Sequence, residues 1–222
     1  MLGMQIGLTP RRHSAPTRRG WRLLWLLLAA AFWSFPAAAA GEDKLGKLQD
    51  VLADLKKGGL VVYFRHSITD TSQTDAAADL ARCETQRNLS EAGRAQATKI
   101  GQAFKALGIP VGEVLSSPFC RTKDTAQLAF GHFTVSDDLF FASNAPKDAV
   151  ARMTASLRRM LSTRPADGAN SIVVSHTSNL REAAGIWPKP EGVAIVFRPL
   201  GDGRFEALAR IPPEDWGAAA GS

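Results

Sequence analysis

The sequence predicts one α/β domain, a three-layer α/β/α sandwich with a mainly parallel central sheet and an antiparallel edge. Three observations lead there. Leu60-Val61-Val62-Tyr63-Phe64 is an unbroken apolar run that stops at Arg65-His66, the pattern of a strand buried on both faces. Ser171-Ile172-Val173-Val174 repeats the pattern and stops at Ser175-His176. Between and around these runs lie segments whose apolar residues recur at helical spacing, so strands and helices alternate.

Each element has its own signal. Leu45, Leu48, Val51, Leu52 and Leu55 mark an amphipathic helix over 44–57, stopped by Gly58-Gly59 ahead of the first strand. After His66 a polar loop runs from Ser67 to about Asp79. Ser90 is the expected N-cap of a helix that continues through Ile100, Ala103, Phe104 and Leu107 to Gly108. Glu113–Ser117 reads as a short strand, and Pro118 as the first turn of a helix reaching Phe130. A weak strand over 133–135 and a loop through Asn144 follow. Lys147–Leu161 is an amphipathic helix with Val150, Met153, Leu157, Met160 and Leu161 inward. A helix is expected from Ser178 or Asn179. Gly192–Arg198 and Arg204–Arg210 read as two strands joined by a turn at Leu200-Gly201-Asp202-Gly203, with a loose tail after Pro212.

The first forty residues have a different character. Five arginines precede the apolar run Leu23–Trp33, and Ala37–Ala40 follows before the charged Glu42-Asp43-Lys44. These are the parts of a secretory signal peptide, residues 1–40, with cleavage expected after Ala40 and one domain over 41–222. The expected location is periplasmic or secreted, with no stable membrane span after cleavage. The alternative, an uncleaved anchor, is disfavoured by Pro36 and the alanine run. Thr17–Trp21 is a loose match to a twin-arginine signal and does not decide the route.

Charge argues against nucleic acid as a partner. Without the five leader arginines, 22 basic face 21 acidic side chains, a net charge of +1, and no basic run with interleaved aromatics occurs after residue 40. Cys83 and Cys120 are a candidate disulfide in an exported chain, the alternative being two buried thiols. A bridge would brace the loop beside Arg121.

The strand ends carry the chemistry. Arg65, His66, Arg121 and His176 should meet at one sheet edge, because ligands of open α/β sheets bind beyond the carboxyl ends of the strands. Two guanidinium groups and two imidazoles in one place are costly unless an anion joins them, and a phosphoryl group satisfies bidentate arginine contacts. One imidazole can then attack phosphorus. His13 goes with the leader, and His132 reads as a helix C-terminal residue. Two site histidines without a carboxylate at ligand spacing make a zinc site a poor fit. An acyl hydrolase using Ser67 or Ser175 would leave both arginines unexplained and has no nucleophile elbow.

Four segments in order, Phe64-Arg65-His66-Ser67, Asn88–Ala97, Ser116–Ala126 and Val173–His176, resemble the histidine phosphatase superfamily, the group that also contains cofactor-dependent phosphoglycerate mutases. The resemblance implies His66 as a phosphorylated nucleophile and Arg65, Arg121 and His176 as its phosphate pocket, with no metal and no organic cofactor. It implies a small phosphorylated substrate and a phosphatase rather than a mutase, since an exported chain has poor access to the metabolite that primes a mutase. Two departures stand out. Ser67 replaces the family's usual glycine, and Leu139-Phe140-Phe141-Ala142 has no acid where many members place a glutamate proton donor. Asp137 and Asp138 lie early, and Glu191, just before the penultimate strand, is the preferred acid. The missing glutamate also motivates the alternative function, an envelope protein that binds phosphate or another anion with little or no turnover.

Overall fold

The computed structural model describes residues 45–221, Ala77 excepted. The signal-peptide expectation falls on residues outside that range. The chain runs α1 (Leu48–Lys57), β1 (Val61–Arg65), α2 (Glu91–Ala106), β2 (Val111–Ser116), α3 (Cys120–Phe130), β3 (Thr134–Val135), α4 (Lys147–Ser162), β4 (Asn170–Ser175), α5 (Thr177–Ala184), β5 (Ala194–Gly201), β6 (Arg204–Ile211) and α6 (Pro213–Ala220).

The strands form one six-stranded sheet in the order β3-β2-β4-β1-β5-β6. β3, β2, β4 and β1 are mutually parallel, while β5 is antiparallel to both β1 and β6. The parallel body and antiparallel edge are those the sequence predicts. Alternation along β1 separates the two faces. Val62 and Phe64 pack with residues of α1, α2, α3 and α6, and Val61 and Tyr63 pack with residues of α4 and α5. Helices therefore cover both faces and make three layers.

Local chemistry explains the boundaries. Ser90 Oγ accepts from the Gly93 amide at 3.1 Å, the N-cap expected for α2. Two expectations are corrected. Pro118 precedes the N-cap Phe119 instead of opening α3. The tail after Pro212 is helical: Pro213 begins α6, and fully buried Trp216 lies 4.7 Å, centroid to centroid, from Phe104 and 6.2 Å from Phe64. Burying that indole in the aromatic cluster outweighs the weak helix propensity of a glycine-containing segment.

Among the described residues no helix is long and apolar enough to cross a membrane.

Candidate active site

Strand direction assembles the site. β1, β2 and β4 run in parallel, so Arg65-His66, Ser116-Ser117 and Ser175-His176 emerge at one edge of the sheet. β5 runs the opposite way and pairs Ala194 with Phe64, so the residues just before it, Glu191 among them, arrive at the same edge. The turn is tied down there: Gly192 N donates to the His66 carbonyl at 2.9 Å and Arg65 N to the Val193 carbonyl at 3.1 Å. Gly192 has φ +83°, and a Cβ there would come within 2.4 Å of Gln96 Oε1.

His66 is buried, and its Nδ1 lies 2.9 Å from the Ser67 carbonyl oxygen. A carbonyl only accepts, so Nδ1 carries the proton and Nε2 presents its lone pair. Burial, reinforced by the Arg121 charge, pushes the His66 pKa well below the ordinary histidine value. His66 is thus neutral with one nucleophilic nitrogen. The His176 ring centroid is 5.6 Å away. Its pKa too is pushed well down, by burial first and then by Arg121. Beneath the site, Tyr63 OH donates to the His176 carbonyl at 2.5 Å.

Each arginine has a carboxylate partner. Arg65 Nη2 donates to Glu191 Oε1 at 3.0 Å, and Thr69 donates to the same carboxylate from its hydroxyl at 3.1 Å and its amide at 3.0 Å. Both Glu191 oxygens are therefore engaged. Glu191 Oε1 lies 4.0 Å from His66 Nδ1, so this acid expected from the sequence is inside the cluster. Arg121 is completely buried, with Nη1 3.1 Å from Asp75 Oδ1 and 3.3 Å from the Arg87 carbonyl oxygen. Its guanidinium stacks over Phe119 at 4.4 Å, and desolvation lowers its pKa to about 10, still cationic at neutral pH. Desolvation also lowers the Arg65 pKa. The structure thus brings His66, Arg65, Arg121, His176 and Glu191 into one place.

Two residues of the site escaped the sequence reading. Asp75, in the loop after His66, pairs with Arg121 and accepts from the Arg87 amide at 2.9 Å. Arg87 is half-buried, and its charge acts on His66, His176, Arg65 and Arg121 alike, each pushed toward its uncharged form. Its place directly before Asn88-Leu89-Ser90 was the available signal.

The loop holding them is cross-linked. Cys83 and Cys120 form a disulfide with Cα atoms 5.7 Å apart, so of the two states left open for these cysteines the bridge is the one formed. Buried Gln86 adds a second tie, accepting from the Cys120 amide at 2.8 Å and donating to the Asp79 carbonyl at 2.9 Å.

Three buried polar atoms of the site, two at the end of β1 and one in the first turn of α3, lack any hydrogen-bond partner: Arg65 Nε, Ser67 Oγ and Arg121 Nε. Orphaned donors of this kind are rare and call for an acceptor, and two of them belong to guanidinium groups flanking His66. An oxyanion matches that donor set. Among the described residues no group of His, Cys, Asp and Glu is arranged to hold a metal ion.

Comparison with known proteins agrees with this architecture. The family model "Histidine phosphatase superfamily (branch 1)" matches residues 61–139, which include Arg65-His66, the Asn88–Ala97 segment and Arg121. The resemblance read from the motifs holds. The fold is shared with a mycobacterial glucosyl-3-phosphoglycerate phosphatase, at 17% identity and TM-score 0.50 over 68% of this chain and 98% of that one. It is shared too with a candidate alpha-ribazole-5'-P phosphatase from Escherichia coli, at 14% identity and TM-score 0.50 over 70% and 98%. A protein histidine phosphatase complexed with tungstate matches at 17% identity and TM-score 0.48 over 70% and 98%. No curated protein matches the chain in sequence. The match over residues 61–139 and the shared fold make this α/β domain similar to the histidine phosphatases.

Proposed function

We propose that this chain is an exported phosphatase that hydrolyses a small phosphomonoester, or a related phosphorylated group, through a phosphohistidine on His66. One observation carries the reading: a buried neutral imidazole with a bare Nε2 lies among guanidinium groups that retain unpartnered buried donors. In this mechanism His66 Nε2 attacks phosphorus and the bond to the leaving group breaks. Arg65, Arg87 and Arg121 stabilise the charge on the non-bridging oxygens as it redistributes. Water then attacks the phosphohistidine, breaks the N–P bond and releases inorganic phosphate. None of these steps requires a metal ion or an organic cofactor.

The fate of the leaving group follows from the carboxylates. Glu191 and Asp75 are each bound to an arginine, so either must give up a hydrogen bond to reach a leaving group. Glu191 in this reading chiefly orients Arg65. The best substrates are then those whose leaving group departs with little protonation, such as aryl phosphates and acyl phosphates. The same pairing motivates the competing reading of an anion-binding protein with little turnover. Export is supported by the leader pattern of residues 1–40 and by the Cys83–Cys120 bridge.

Steady-state turnover over a series of aryl phosphates of falling phenol pKa, with an alkyl phosphate beside them, tests the reading. It expects kcat/KM to rise steeply as the phenol becomes more acidic. Phosphate binding without turnover of any of them would leave the anion-binding protein.

A further inference from the structure

Ser117 is completely buried, and its hydroxyl lies 2.8 Å from His176 Nε2. The other ring nitrogen, Nδ1, faces Arg121 Nη2 at 3.4 Å. A guanidinium donates and cannot accept, so Nδ1 must turn a lone pair toward it. The single N–H of the neutral imidazole is then on Nε2 and donates to Ser117 Oγ. The opposite tautomer would direct Nδ1–H at an arginine N–H. Burial and the Arg121 charge both favour the neutral ring that this reasoning requires.

Apolar packing does not make the choice. Phe119 meets the His176 ring edge-on at 5.2 Å and Phe141 lies 4.9 Å away. A half-turn about Cβ–Cγ would leave both rings in contact while exchanging each nitrogen for a carbon. Only the polar partners distinguish the two orientations. Ser117 is itself fixed, its amide donating to the Val174 carbonyl at 3.0 Å and its carbonyl accepting from Thr122 Oγ1 at 2.9 Å.

We propose that Ser117 is a positioning residue that sets the orientation and tautomer of His176 and leaves Nδ1, beside Arg121, as its hydrogen-bond-accepting nitrogen. The catalytic consequence rests on the phosphatase reading. A phosphoryl monoanion held by Arg121 brings one O–H, which donates a hydrogen bond to the Nδ1 lone pair while the ring stays neutral. Nδ1 thereby fixes the orientation of the phosphoryl group without taking its proton. Nε2–H stays on Ser117 throughout. No bond to phosphorus changes in this step.

Long-range proton–nitrogen correlation spectra of the 15N-labelled full chain read the tautomer directly. The wild type is expected to carry the His176 proton on Nε2 alone, Ser117→Ala to lose that single state, and Ser117→Thr, which keeps a hydroxyl, to regain it. With an aryl phosphate, Ser117→Ala should lose roughly 10- to 100-fold in kcat with a much smaller change in KM, and Ser117→Thr should recover most of the loss. A wild-type His176 protonated at Nδ1, or a Ser117→Ala variant with tautomer and kcat unchanged, overturns the proposal. If the tautomer behaves as expected but the wild type turns over no aryl phosphate, the positioning role stands and the phosphatase reading falls.

Discussion

The two halves of the site are held by different forces. Arg65 and His66 stand at the end of β1, whose four preceding residues are buried, and their backbone bonds run to β4 and to the turn before β5. Burial in the sheet fixes that half. Asp75 and Arg87 lie on a segment in which residues 71–74 and 81–84 are exposed. With so little apolar surface to bury, that segment depends on the Cys83–Cys120 bridge and on Gln86 and Asn88, whose Nδ2 donates to the Cys83 carbonyl at 2.7 Å. Arg121 joins the halves, since it rises from α3 but takes its carboxylate from the loop. A core strand can thus supply a nucleophile that survives loosening of the loop, while the loop governs how tightly the phosphoryl group is held.

The largest effect expected on this comparison is the loss of an arginine. Arg65→Ala and Arg121→Ala should each lower kcat/KM about 10²- to 10³-fold, as removal of a preorganised oxyanion donor does. Arg121→Ala should additionally speed hydrogen exchange over residues 70–88, because Asp75 loses its partner. Exchange unchanged there would show that the loop does not depend on Arg121.

Opening the bridge comes next. Reduction by a dithiol, or Cys83→Ser with Cys120→Ser, should cost about 2–4 kcal/mol of stability. The functional loss should appear mainly as a higher KM for an aryl phosphate, with kcat less affected. Equal loss of kcat would mean that the nucleophile also depends on the loop, and the division between halves would be wrong.

Glu191→Gln should be milder, about 1.5–3 kcal/mol through the charge-assisted bond to Arg65, or roughly tenfold or more in kcat/KM. If Glu191 orients Arg65, that loss is independent of the leaving group. A loss that grows as the phenol becomes less acidic would instead make Glu191 the proton donor.

The pH dependence of stability is a graded effect, set per pH unit. His66 and His176 have folded-state pKa values below their unfolded value near 6.5, so below that pH the unfolded chain binds more protons than the native one. Stability should fall as pH drops below about 6.5, by up to about 1.4 kcal/mol per pH unit for each histidine, until the folded-state pKa values are reached. Chemical denaturation of the wild type and of His176→Asn between pH 7 and 5 would show whether one histidine's share disappears.

How much of this was legible in the sequence follows from the same division. The strand ends were legible because unbroken apolar runs stop at charged or polar residues, and the parallel topology converts those stops into one edge. Glu191 could be placed at that edge, but not opposite Arg65, because that needs the antiparallel register of β5. The Asn88–Ala97 segment was legible only through the family resemblance, which made Asn88 and Leu89 mainly structural. The structure adds the reason: a Cβ at Gly93 would lie 1.9 Å from the Ile68 carbonyl oxygen, and Gln96 bridges Ile68 and Glu191. Asp75 and Arg87 were not legible, since a polar loop has no periodicity and its geometry comes from partners distant in sequence. α6 was missed because prolines, glycine and alanines resemble a tail, and Trp216 was the signal against that.

The most direct test of the central claim is to look for the covalent intermediate. Full-length wild type and His66→Ala are mixed with an aryl phosphate, quenched within milliseconds and analysed for protein-bound phosphate. The account predicts an acid-labile, base-stable phosphoryl group on His66 of the wild type and none on the variant. Turnover by the wild type with no phosphoenzyme on any quench, or a phosphoenzyme that persists in His66→Ala, would contradict it.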